Sequence, residues 1–185
     1  MNGQSLDELY PQRHNLRLPG YDYTWQGAYF VTTCTHDKLG LFGQIAESAM
    51  RLSPFGEIVA SVWEEIQLHY PEVNNEIFIV MPNHVHGIIS ILDSGRAGSK
   101  PAPASARPLS ELVRAFKTYS ARRINELRNS QGTPVWQRNY HEHLIRGESE
   151  YQQIGEYILF NPAKWEMDRE NPVAKPNIRR LSFEQ

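Results

Sequence analysis

The segment "NEIFIVMPNHVHGIISIL" (residues 75–92) sets two β-prone runs on either side of Pro82-Asn83. β-Branched and large apolar side chains fit a pleated surface, and a Pro-Asn step suits a tight turn, so the pattern predicts a hairpin. Side chains on a strand alternate between faces. His84 and His86 therefore share one face, about 7 Å apart along the chain. Val85, between them, faces the other way and into a core.

The flanking segments extend the pattern. "GAYFVTTCTHD" (27–37) is rich in β-branched and aromatic residues and predicts a strand. "SPFGEIVASVWEEIQLHYP" (53–71) places Ile58, Val59, Val62, Trp63 and Ile66 at helical spacing, and Pro71 stops the helix. Residues 93–108, built of Gly, Ser, Ala and Pro, are expected to form a flexible loop. Ser110 then reads as the N-cap of a helix over 111–128, with Leu112, Val113, Phe116, Ile124 and Leu127 inward. "PVWQRNYHEHLIR" (134–146) predicts an extended segment and strand. A last helix is expected from Ser149, with Gln152 completing a capping box, and it ends near Asn161 because Pro162 disfavours helix before it. Hairpins and helices mixed in this order predict an α+β fold, an antiparallel sheet with helices packed mainly on one face.

The chain's 185 residues suit a single domain, 1–185, with an N-terminal arm over 1–24 and a C-terminal tail over 166–185. No apolar run is long enough to span a bilayer. The lone Cys34 excludes an intramolecular disulfide and points to a reducing compartment. A cytoplasmic, nucleoid-associated location is the expectation. The formal net charge of −2 argues against a nucleic-acid binder, but the distribution argues for one. Between Arg96 and Arg146 stand ten basic residues against three acidic ones, a local stripe that net charge conceals. A solvated helix face would look the same.

Two imidazoles on one face can share a divalent ion, though a bare His-x-His pair also arises by chance. A third ligand must come from another element. In "EYILFNP", Tyr157 and Asn161 lie one helical turn apart on one face. An amide oxygen suits Mg²⁺ or Mn²⁺, and the imidazoles favour Mn²⁺ of the two. A phenol one turn from such a ligand would sit beside the ion, as an activated tyrosine nucleophile requires. Each residue also has an ordinary use, Tyr157 as a core aromatic and Asn161 as a helix end before proline. Tyr119 is a weaker candidate nucleophile, because Arg123, one turn on, has no lone pair to give a metal. Tyr140 is expected on a strand and lacks a ligand one turn away.

"MPNHVHGI", "WQRNYHEHLIR" and "YILFNPAKW" together resemble the REP-associated tyrosine transposases, a branch of the single-tyrosine HUH nucleases. The resemblance spans about residues 29–165. It implies a ferredoxin-like, RRM-like palm and a DNA strand transferase acting on hairpin-bearing single strands through a 5′-phosphotyrosine. It implies His84, His86 and Asn161 as ligands of Mg²⁺ or Mn²⁺ and Tyr157 as the nucleophile. Trp136, Gln137, Arg138 and His143 also match family positions, Gln137 and His143 as support. Arg114, Lys117, Arg122, Arg123, Arg128, Trp136 and Arg138 are the expected DNA contacts. A monomer is expected over a helix-swapped dimer. Two other readings compete, a catalytically silent DNA-binding module of the same fold and a metal-dependent hydrolase using water.

Overall fold

The computed structural model of the chain describes residues 27–75, 77–92 and 108–174. The expected N-terminal arm, the 93–108 loop up to residue 107 and the tail beyond residue 174 lie outside them. The elements run β1 (Gly27–Cys34), β2 (Gly43–Ala46), β3 (Ala49–Leu52), α1 (Pro54–His69), β4 (Val73–Asn74), β5 (Phe78–Met81), β6 (His84–Ile91), α2 (Leu109–Leu127), β7 (His141–Ile145) and α3 (Glu148–Leu159). A 3₁₀ segment, Pro162–Met167, follows α3.

The predicted hairpin is β5–β6, with Met81 opposite His84 across Pro82-Asn83. β6 pairs antiparallel with β1 over its whole length, and β1 pairs antiparallel with β7. β4 and β5 share the remaining edge of β6. Counting β4 and β5 as one interrupted strand, the β-α-β-β-α-β order with β1 and β6 central is the ferredoxin-like arrangement. The fold is α+β, as the sequence predicts.

The alternation of β1 and β6 sorts their side chains. Tyr29, Val31, Val85, Ile89 and Ile91 join Trp63 and Ile66 of α1 and Leu112 and Phe116 of α2 in the larger core. Phe30 and Ile88 turn the other way and meet Ile154 and Ile158 of α3. Two helices therefore cover one face and α3 crosses the other. Gly87 is what lets Trp63 lie flat on the sheet, since a Cβ there would fall 2.3 Å from the indole Cζ2. Asn75 and Trp63 exchange hydrogen bonds, Trp63 Nε1 donating to the Asn75 carbonyl at 3.1 Å and Asn75 Nδ2 to the Trp63 carbonyl.

Several boundaries differ from the sequence reading. α2 begins at Leu109 after Pro108, so Ser110 is inside the helix rather than its cap. Leu127, expected inward, is exposed in the last turn, where no neighbour covers it. α3 starts at Glu148 after Gly147, whose φ of 142° only glycine adopts easily, so the predicted Ser149–Gln152 box is not formed. The β2–β3 hairpin has no counterpart in the sequence reading. Its turn residues, Glu47 and Ser48, hold φ of 53° and 60° without the glycine that normally marks such turns.

Candidate active site

His84 and His86 lie on the α3 side of β6, both buried, with ring centroids 4.4 Å apart. Each ring is aimed by a neighbour. Asn83 Nδ2 donates to the carbonyls of Lys38 (3.2 Å) and Glu170 (2.7 Å), which leaves its Oδ1 to accept from His84 Nδ1 at 2.8 Å. That assigns the His84 proton to Nδ1 and the lone pair to Nε2. Nε2 is buried and has no hydrogen-bond partner. Across the ladder from His86, Thr32 Oγ1 holds His86 Nδ1 at 2.8 Å, so His86 also presents Nε2. Burial pushes both imidazoles down, His84 to about 3 and His86 well below its ordinary value. Both are therefore neutral at pH 7, the form in which a histidine can ligate.

α3 brings Tyr157 over this pair. Its hydroxyl lies 3.3 Å from His86 Nε2, and its ring stands edge-on to Phe30. His143 on β7 and Glu150 in the first turn of α3 meet at 2.8 Å, which pins the helix to the sheet edge. α3 ends at Leu159, but Asn161 keeps helical dihedrals (φ −58°, ψ −40°), so it still falls one turn beyond Tyr157. Asn161 is buried and its Oδ1 has no partner. Its amide nitrogen donates to the Asp168 carboxyl.

Asp168 is the residue that the sequence reading missed. It follows the 3₁₀ segment, is buried, and has a carboxyl oxygen within 4.8 Å of ligand nitrogens of His84 and His86. Burial raises its pKa, against the hydrogen bonds from the Glu170 backbone and Asn161. Residues 166–174, the start of the expected C-terminal tail over 166–185, fold back under the histidines. Two imidazole nitrogens, an orphaned amide oxygen and a carboxylate suit a hard to intermediate divalent ion. Buried polar atoms are almost always paired, so the two unpaired ones on a shared site fit an ion rather than packing.

The expected DNA contacts sit mainly on the other face. Arg114, Lys117, Trp136, Gln137 and Arg138 line one open groove of about 500 Å³ between α2 and residues 132–140. Arg114 and Arg138 are exposed there. Lys117 Nζ instead donates to the carbonyls of Gln137, Arg138 and Asn139, at 2.5 Å for the first. Trp136 is not available to stack on bases. It is buried against Phe42 and Phe116, and its indole donates to Ser120 Oγ at 3.0 Å. Arg123 makes a two-pronged bridge to Glu65 on α1, both contacts 2.7 Å. Arg128 is held by Asn125 Oδ1 and the Thr133 carbonyl. Arg122 is exposed, paired loosely with Glu126 at 3.6 Å. The groove meets the histidine end of the sheet where Gln137 N donates to the carbonyl of Cys34, the strand partner of His84.

Fold and site together define a ferredoxin-like domain with a buried histidine pair facing a tyrosine helix. No protein-family model matches the chain. An uncharacterized Haemophilus influenzae protein is 40% identical over 170 residues, covering 85% of this chain and 92% of that protein. A second H. influenzae protein, provisionally named a REP-associated tyrosine transposase, is 24% identical over 77% of this chain and 74% of its own length. Among solved structures, a REP-associated tyrosine transposase bound to a REP hairpin superposes with a TM-score of 0.56. It is 16% identical and is covered to 96% of its length by 90% of this chain. In sequence and in fold the chain is thus similar to REP-associated tyrosine transposases.

Proposed function

We propose that the protein is a metal-dependent endonuclease and strand transferase of single-stranded DNA that carries hairpins. The observation that carries this reading is the convergence of Tyr157, from α3, on His86 Nε2 beside the unpaired His84 Nε2 and Asn161 Oδ1. His84, His86, Asn161 and Asp168 would hold a divalent ion, Mg²⁺ or Mn²⁺. Such an ion, when bound, would supply Lewis acidity to the scissile phosphate and a field that favours the phenolate.

The rest falls to the chain's own residues. Asn83 and Thr32 hold the two imidazoles with their lone pairs inward. Asp168 orients the Asn161 amide. Phe30 braces the Tyr157 ring, and the His143–Glu150 contact sets the helix. The Tyr157 oxygen attacks phosphorus and forms a Tyr–O–P bond as the P–O3′ bond breaks. The 3′-oxygen leaves and takes up a proton, giving a free 3′-hydroxyl and a 5′-phosphotyrosine. Attack by a 3′-hydroxyl on that ester reverses the step and joins the strands without a high-energy cofactor. Tyr157 docks on the His86 of its own chain, which supports a monomer over a helix-swapped dimer. The solved neighbour bound to a REP hairpin supports hairpin DNA as the substrate class.

The test is a denaturing gel with a 3′-labelled hairpin-bearing strand and Mn²⁺ or Mg²⁺. A labelled adduct at protein mass, absent with EDTA and in Tyr157→Phe, is the expected result. Cleavage that survives Tyr157→Phe identifies a water-using hydrolase. Binding without cleavage identifies a silent DNA-binding module.

A further inference from the structure

Two cations that lie outside the conspicuous basic stripe converge beside the histidines. Lys38 sits in the turn after β1 and Arg169 in the segment after the 3₁₀ helix. Both reach the Glu170 carboxylate, Lys38 Nζ at 3.2 Å and Arg169 Nε at 3.0 Å. The two cationic side chains are 40% and 42% exposed while that of Glu170 is 12%, so the cations face solvent and their counter-charge lies beneath them.

The cluster is built into the histidine site. Asn83, which aims His84, grips the backbones of both Lys38 and Glu170 with the same amide nitrogen. Glu170 N donates to Asp168 Oδ1 at 2.6 Å. Lys38 and Asp37 hold φ of 52° and 54°, a left-handed pair that side chains other than glycine adopt at a cost. Such strain persists where the surroundings impose it. The charges of both cations reach His84. Lys38 and Arg169 thus put two exposed cations at the rim of the site with Glu170 beneath them. The arginine fork and the lysine ammonium are donors suited to phosphate oxygens.

We infer that Lys38 and Arg169 form a two-cation clamp that takes a DNA phosphate beside the histidine pair, with Glu170 holding both cations in place and giving way to the phosphate. This clamp rests on the DNA-processing reading above and adds the residues that seat the backbone. Glu170 is an internal stand-in for the phosphate group, which separates the clamp from a merely structural ion-pair cluster. Removing the stand-in should tighten binding, whereas removing a structural brace should weaken it.

Two measurements test it. In the first, thermal unfolding is followed with inorganic phosphate against chloride at equal ionic strength. The wild type gains midpoint with phosphate. The gain is lost when Lys38→Ala and Arg169→Ala are made in a Glu170→Gln background, which leaves no carboxylate unpaired, and it is kept in Lys38→Arg. In the second, a fluorescent DNA hairpin with single-stranded flanks is titrated across salt concentrations. Glu170→Gln binds about threefold tighter or better. The triple variant binds about tenfold more weakly, its salt slope smaller by about 0.7 per lost contact. A phosphate response equal in wild type and triple variant overturns the clamp, as does weaker binding by Glu170→Gln. The phosphate measurement involves no strand chemistry. A clamp that passes it beside a wild type that forms no tyrosine adduct upholds the clamp and removes the strand transferase.

Discussion

The two faces of the sheet use polar groups in opposite ways. On the α1/α2 face the buried polar side chains of the described residues are paired except for Thr33 Oγ1. Trp63 and Asn75 exchange hydrogen bonds, Trp136 donates to Ser120, and Arg123 meets Glu65 with both prongs. On the α3 face, His84 Nε2 and Asn161 Oδ1 are buried without partners, and Tyr157 leans on the nitrogen of a ligand candidate. Satisfied groups hold a fold together; buried unsatisfied ones cost stability unless something else completes them. On the charge-rich face Lys117, Arg123 and Arg128 are engaged in structure while Arg114, Arg122 and Arg138 stay exposed, and the α3 face is where the chemistry is proposed.

The sharpest way to break this contrast is through the tyrosines. Tyr157→Phe should abolish the covalent DNA adduct on a denaturing gel, while Tyr119→Phe, exposed on α2, should leave the yield within about twofold, as a surface change does. On the structural face, Trp63→Ala should cost about 3–5 kcal/mol in urea denaturation, because the buried ring and its hydrogen bonds go together. Gly87→Ala should cost about 1–3 kcal/mol by the same assay, as overpacking against that ring.

On the α3 face the effects should depend on metal. At a hundredfold excess of Mn²⁺ over its dissociation constant, the wild type should gain about 2.7 kcal/mol. His84→Ala should lose that gain in a calorimetric scan. Acid should expose the same histidines. Their folded pKa values are depressed, so below the ordinary value of 6.5 the unfolded chain takes up protons that the folded chain refuses. Stability in EDTA should fall as pH drops from about 6.5, by up to about 1.4 kcal/mol per pH unit for each histidine. Asp168, whose pKa is raised, works in the opposite sense and reduces the slope. Smallest of all, Arg123→Ala should cost at most about 1 kcal/mol, since the bridge is about a third exposed. It should leave the salt slope of DNA binding unchanged, which a phosphate-contacting Arg123 would not.

Much of this was legible in the chain because it depends on local period. Alternation put His84 and His86 on one face and Val85 on the other, and helical spacing put Tyr157 and Asn161 one turn apart. Pro162 marked where that helix must end. Asp168 gave no such signal. It sits in an irregular segment with no period, and only the return of residues 166–174 under β6 makes it a neighbour of the histidines. Trp136 misled for the related reason that an aromatic among cations reads the same whether it faces solvent or core.

The sequence by itself determined the α+β order, the shared face of the histidine pair and the turn that joins Tyr157 to Asn161. Each of these follows from backbone geometry acting over a few residues. The tertiary structure alone decided which cations are engaged in structure and which remain at the rim. It also decided that Asn83 aims His84, that Asp168 holds Asn161, and that Lys38 and Arg169 share one carboxylate. Asn83 and Lys38 meet Glu170 from segments far from it in the chain. The free energy that fixes them comes from burial and pairing across the whole sheet, which no local window of sequence contains.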